Sequence, residues 1–251
     1  MTDLDSAPPT LWRSALAELL GTGLLVTVVI GSGIAAQRLS TDTGLQLLEN
    51  AIATALGLGV LILLLSPVSG AHFNPVVSLA DALLGRRAGG GPRGRALGVY
   101  LPAQVVGGIG GAVLANAMFA TPTAISTTHR ATPATFLAEI VATAGLVLLI
   151  AGLTRTGRPV PVIAAAVGAY IGAAYWFTSS TAFANPAVTI GRIFTDTFAG
   201  IAPASALWFL AAQAVGAGIA IALTVLLFPR ARRLATTPAA LPTGRSSRSS
   251  R

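Results

Sequence analysis

Six apolar runs, at residues 11–36, 45–65, 95–119, 133–153, 159–177 and 204–228, leave this chain one kind of solvent. A helix rises about 1.5 Å per residue, so about 20 residues cross the ~30 Å hydrocarbon core of a bilayer, and each run is about that long. With no water in the core, each segment must satisfy its own backbone polar groups, which makes each run a helix. Hydrophobic residues are 53% of the chain, charged residues 10%, and the mean hydropathy is +0.76, too apolar for a water-soluble domain. An all-α membrane protein with six transmembrane helices is expected.

Two shorter apolar runs, 74–85 and 185–195, amount to about half a bilayer of helix and read as re-entrant half-helices. Each opens on Asn-Pro, in "SGAHFNPVVS" and in "STAFANPAVTIGR". Proline at the first helical position costs no hydrogen bond, and asparagine before it caps the helix. One copy marks a helix start; two copies, one in each half of the chain, need a further reason.

The reason is an internal repeat. "LAELLGTGLLV" in the first half is echoed by "LAEIVATAGLVLL" in the second, and "LPAQVVGGIGGA" by "LAAQAVGAGIA". Glu18, Asn74-Pro75 and Gln104 thus recur in order as Glu139, Asn185-Pro186 and Gln213. Three spans per half is an odd number, so the halves, about 11–119 and 133–228, are inverted relative to each other. The half-helices then enter from opposite faces and aim two positive dipole ends at one spot near the midplane. Asparagine amides there offer N–H donors to a passing neutral dipole, while the dipole ends repel cations.

All sixteen cationic side chains are Arg, and the net charge is +8. With the N-terminus inside, thirteen lie on the cytoplasmic side, including Arg86, Arg87, Arg93, Arg95 and six in the tail; Arg38, Arg130 and Arg192 fall outside. This distribution reads as topology, not as a nucleic-acid surface. Both termini are expected in the cytoplasm, with residues 1–10 and a basic, disordered 229–251 as tails. The chain has no cysteine, and His72 and His129 are its only imidazoles, so neither a metal site nor a cofactor is expected.

On Asn74-Pro75-Val76, Asn185-Pro186-Ala187, the "SGAHFNP" lead-in, Glu18, Glu139, Gln104 and Gln213, the sequence resembles the aquaporin and glycerol-facilitator (major intrinsic protein) family. The resemblance implies a pore in each protomer of a homotetramer, with the two Asn-Pro motifs as the central constriction and His72 lining the path. It also implies a second constriction, which ungapped counting places at Thr54, Ala173, Ala182 and Val188. Here the chain departs from the family, because Val188 stands where an arginine is usual and Val76 replaces the alanine of the first motif. Such a ring is wide and mostly apolar, so its solute cannot be copied from the water-selective or the glycerol branch. The run "FANPAVTIGRIFTDTFAGIAP" resembles a bacterial subgroup associated with arsenic resistance, which implies uncharged As(OH)₃ as a solute beside water and glycerol.

Several residues admit two readings. Arg192, one turn beyond Val188 on the same face, either places a cation at the outer mouth, or snorkels to the interface or caps the half-helix. By its apolar setting alone, His72 would more often be a packing residue. Glu18 and Glu139 either brace the half-helix loops or couple protons to transport. Gly107, Gly108, Gly110, Gly111, Gly216 and Gly218 read as close helix contacts. A passive channel for small uncharged solutes, with no enzymatic chemistry, follows from this pattern; an ion-coupled transporter or a non-conducting scaffold would also carry inverted repeats.

Overall fold

The computed structural model describes residues 9–85 and 94–229. The expected N-terminal tail up to residue 8, the cytoplasmic arginines 86, 87 and 93 and the basic tail from 230 lie outside the described residues. Eight α-helices follow in order: α1 (Leu11–Leu39), α2 (Thr43–Ser69), α3 (Pro75–Gly85), α4 (Gly94–Met118), α5 (Pro133–Arg155), α6 (Val160–Phe177), α7 (Pro186–Gly191) and α8 (Pro203–Leu227). All but α3 and α7 are long and apolar enough to cross a membrane. The architecture is the one read from the sequence, six spans and two short helices.

Local chemistry sets the ends. Asp42 caps α2 by accepting the Leu45 N–H at 2.9 Å, and Gly70 ends the helix in a left-handed conformation at φ 89°. Thr132 and Thr135 form a capping box at the start of α5, with Pro133 in its first turn. Pro186 and Pro203 occupy the same place in α7 and α8.

The spans pack as repeat-related pairs, α1 on α4 and α5 on α8, while α2 and α6 meet across the two halves. Small residues make these approaches possible. A Cβ on Gly216 would come 2.6 Å from the Ile140 carbonyl oxygen, and one on Gly107 would run into the Leu19 carbonyl. Gly110 and Gly218 border open space, so neither makes a close contact with another helix among the described residues of the chain. Leu56, Leu64, Leu207 and Leu226 stay exposed, as the lipid-facing side of spanning helices requires.

Each half-helix is held by the other repeat. Val76 and Val77 of α3 join an apolar cluster with Val147 of α5 and Ala217 and Ala220 of α8. Similarly, α7 lies against α4, where a Cβ on Gly108 would be 2.6 Å from the Ala187 carbonyl oxygen and one on Gly191 equally near the Gly108 carbonyl. The expected second half-helix, 185–195, is shorter as an α-helix than read: α7 stops at Gly191 and a 3₁₀ turn covers Arg192–Phe194. The carbonyls of that turn are taken by other segments. Ile201 N–H donates to Arg192 O, Ser126 N–H to Ile193 O and the Asn116 amide to Phe194 O, which leaves nothing to continue the helical ladder.

Candidate functional site

Each loop ahead of Asn-Pro is tied to a buried glutamate in the same way. Glu18 accepts from the Ser69 hydroxyl (2.6 Å), the His72 and Phe73 N–H groups (2.9 and 2.7 Å) and the Gln104 amide (2.7 Å). Glu139 accepts from the Ser180 hydroxyl (2.7 Å), the Phe183 and Ala184 N–H groups (both 2.9 Å) and the Gln213 amide (2.7 Å). Gln104 and Gln213 also donate to Ser78 and Thr189 on the half-helices they face. The two glutamates thus make repeat-related sets of four bonds.

These bonds hold backbone that would otherwise relax. Ala71 and Phe73 have φ of 52° and 50°, and Ala182 and Ala184 both 47°. A side chain in the left-handed region costs about 1–2 kcal/mol, so each loop is kept there by the charge-assisted bonds to its glutamate. In a trans peptide the C=O opposes the N–H. With N–H groups turned inward to the glutamates, the carbonyls of Ala71, His72, Ala182 and Phe183 turn outward.

The asparagines close the arrangement. Asn74 Oδ1 accepts the Val76 N–H at 3.1 Å, and Asn185 Oδ1 accepts those of Ala187 and Val188 at 3.0 and 3.3 Å. Each Nδ2 crosses to the opposite loop: Asn74 donates to the Ala184 carbonyl and Asn185 to the Phe73 carbonyl, both at 2.8 Å. A primary amide has two N–H groups, so each asparagine keeps one uncommitted.

A path runs past this pair. On the Asp81 side is a cavity of about 1050 Å³, bordered by His72, Asp81, Thr154 and Arg155. It continues, through shared walls at Ala71, His72 and Val77, into a narrow cavity of about 60 Å³. That neck has room for only a few waters. It is lined by Asn74, Asn185, Thr54, Ala182, Val188 and Arg192, among others.

The structure brings together most of the residues singled out in the sequence and corrects three points. Ala173 is exposed on the outer face of α6 and does not line the neck, where Tyr175 takes its place, its hydroxyl 3.2 Å from that of Thr54. Two residues turn a helix by about 200°, so a two-residue slip in counting puts a side chain on the opposite face. Of the Asn-Pro triplets only the asparagines line the neck; Val76 packs in the cluster with α5 and α8 and Ala187 against Gly108, so Val76 adds no bulk beside the asparagines, and Pro75 and Pro186 do not line the neck either. Arg192 does not lie open at a mouth. It is buried in the neck wall, its guanidinium 3.4 Å from the Phe183 ring centroid and its Nε donating to the Ala199 carbonyl.

Three residues were missed. Asp81 lies 3.7 Å from His72 Nε2, and a carboxylate within a half-helix is itself a signal. Tyr175 needed the true helix register. Arg130, counted only toward topology, reaches back to donate to the Phe198 and Gly200 carbonyls, both at 2.7 Å. Among the described residues no three His, Asp or Glu side chains converge to hold a metal ion. The path offers neutral donors, carbonyl acceptors and the Arg192 guanidinium in the neck, with Asp81 and Arg155 bordering the wider cavity.

The profile of the family described as Major intrinsic protein matches residues 5–179. The chain is 47% identical over 236 residues to Aquaglyceroporin AqpS of Rhizobium meliloti (strain 1021), spanning 92% of this chain and 98% of that protein. It is 31% identical over 177 residues to the Glycerol uptake facilitator protein of Pseudomonas aeruginosa, 61% of each. Among solved structures, the X-ray structure of the aquaglyceroporin from Plasmodium falciparum superposes with a TM-score of 0.66 over 87% of this chain and 96% of that one; at 19% identity the likeness is one of fold. With its profile match over most of the chain and a relative aligned almost end to end, this protein belongs to the major intrinsic protein family.

Proposed function

We propose that the chain is a passive membrane channel for water and small uncharged, glycerol-like solutes, with a path through each protomer. The observation that carries this reading is the crossed asparagine pair in the neck, where each amide is fixed by a cap and a cross-loop bond yet keeps one N–H free. A solute hydroxyl or water can accept from those N–H groups while donating to the outward-facing carbonyls on either side. Exchange of hydration for fixed donors and acceptors lets a neutral polar molecule pass without a large barrier. A metal cation or hydronium meets two amide donors and the Arg192 guanidinium, which favour the opposite charge.

Thr54, Tyr175, Ala182 and Val188 are the ring that sets size in this reading. With Val188 and Ala182 supplying only methyl groups, the ring is broad enough for solutes larger than water, including glycerol and As(OH)₃. The relatives named aquaglyceroporin and glycerol uptake facilitator support the glycerol-like class. Both glutamates are committed to four hydrogen bonds each, which supports bracing over proton coupling. We also propose a homotetramer in the bacterial cell membrane, with the Asp81 end of the path toward the cytoplasm, from the arginine distribution.

Val188→Arg tests the ring. A long cationic side chain there narrows the neck, so the ratio of glycerol to water permeability in proteoliposomes falls, by about tenfold or more if one solute hydroxyl loses its place. An unchanged ratio at matched protein incorporation means that Val188 does not set the solute size.

A further inference from the structure

The end of the neck opposite Asp81 holds the Arg192 guanidinium, and Arg130 approaches the same Phe183 ring without lining the neck; neither has a counter-ion among the described residues. No carboxylate lies within ion-pair distance of Arg130 or Arg192 among the described residues. Arg192 is 3% exposed and lines the neck; its Nε donates to the Ala199 carbonyl, while its two Nη groups have no hydrogen-bond partner among the described residues. Arg130 spends Nε on the Gly200 carbonyl and one Nη on the Phe198 carbonyl, which leaves its other Nη. Three consecutive carbonyls, 198–200, therefore hold both side chains from behind. Both guanidinium carbons lie near the same aromatic ring, 3.4 Å (Arg192) and 5.6 Å (Arg130) from the Phe183 centroid.

Nearby charges do not cancel this pair. Glu139 is within electrostatic reach of Arg192, but both its oxygens are taken by loop donors. Asp196 is held by Thr127 and Ser126, and the Tyr175 hydroxyl is paired with Thr54. Arg192 is buried and Arg130 half-buried, and guanidinium groups so placed without a carboxylate favour an anion supplied from solution. The group that matches a guanidinium fork is a planar or tetrahedral oxyanion, which accepts parallel N–H bonds.

We propose that Arg130 and Arg192 form an oxyanion-binding site at this end of the neck of each pore, and that it takes small carboxylates from solution. The inference rests on the channel reading above in one respect: an anion bound there stands in the path and slows neutral solutes. Arg130, on the loop between α4 and α5, is the residue that turns a single buried cation into a two-cation site.

The test is glycerol-driven swelling of proteoliposomes near neutral pH, with acetate at increasing concentration on both faces. Chloride at equal ionic strength and acetamide, the neutral isostere, are the controls. In wild type, acetate lowers the glycerol rate saturably, and neither control does. In Arg130→Gln the half-saturating acetate concentration rises about tenfold or more, the loss of one charge-assisted hydrogen bond. Arg130→Lys, which keeps the charge and loses the fork, shifts it less. The site is overturned if acetate has no effect beyond chloride, or if both variants half-saturate where wild type does. Should Arg130→Gln not assemble, the wild-type anion comparison and Arg130→Lys decide. Absence of glycerol flux without any acetate counts against the channel itself; calorimetric titration of acetate into detergent-solubilised wild type and Arg130→Lys then reads the site directly.

Discussion

Replacing Glu139 by Gln tests whether the glutamates are braces. The carboxylate accepts four bonds, two on each oxygen, and Gln keeps only one oxygen. If its NH₂ faces Ala184 N–H and the Gln213 amide, two buried donors are stranded. The better orientation turns the NH₂ toward Ser180, whose hydroxyl can rotate to accept, and strands only the Phe183 N–H. One stranded buried donor costs about 1–3 kcal/mol, and the remaining bonds lose charge assistance at up to about 1 kcal/mol each. Relief from burying a charge offsets part of this, leaving a net loss of about 3 kcal/mol. For a chain of this size that is a fall of about 5–10 °C in thermal midpoint, measurable by unfolding in detergent. The left-handed residues Ala182 and Ala184 lose their anchor, so glycerol flux falls as well, and by the same factor at every pH. Glu18→Gln behaves alike, because its bonds match. An unchanged midpoint and flux in folded Glu139→Gln would sink the brace, and a proton-driven uphill flux lost in the variant would establish coupling instead.

Asn185→Asp puts a carboxylate at the crossed pair, removing the donor to the Phe73 carbonyl and attracting cations; neutral flux falls or a cation leak appears, and a cation-tight variant with wild-type glycerol flux would contradict the pair's role. Asp196 is held below the usual carboxylate range, first by the Thr127 backbone N–H and then by the Thr127 and Ser126 hydroxyls, against some desolvation. A lowered folded-state value means that its contribution is present above the ordinary carboxylate value near 4 and is lost as pH falls through the lowered one. Thermal midpoints of wild type should therefore decline more steeply than those of Asp196→Asn below about pH 4, and parallel curves would show that the loop contact is silent.

The architecture was legible because lipid leaves few options. Long apolar runs must be helices, and an odd number of spans per repeat must invert. The glutamates and asparagines were legible because each is an isolated polar residue whose copy recurs in the same order. Register across a loop was not. Ungapped counting from Asn185 back to α6 treats the intervening chain as regular, whereas Thr181, Ala182 and Ala184 all have positive φ and the loop folds tightly. Counting therefore falls on Ala173 where Tyr175 stands. The end of α7 was equally hidden, since three carbonyls at 192–194 are claimed by residues up to 78 positions away in sequence. Arg130 is hidden for a related reason: a loop arginine carries a topological meaning on its own, and only the folded carbonyls of Phe198 and Gly200 give it another.

The most direct measurement is stopped-flow light scattering of proteoliposomes under an inward glycerol gradient, with no proton or sodium gradient, compared with protein-free vesicles. A passive channel gives glycerol entry well above the lipid background, reversing with the glycerol gradient and indifferent to an imposed ion gradient. Entry no faster than in protein-free vesicles, or entry that appears only when an ion gradient is imposed, would contradict it.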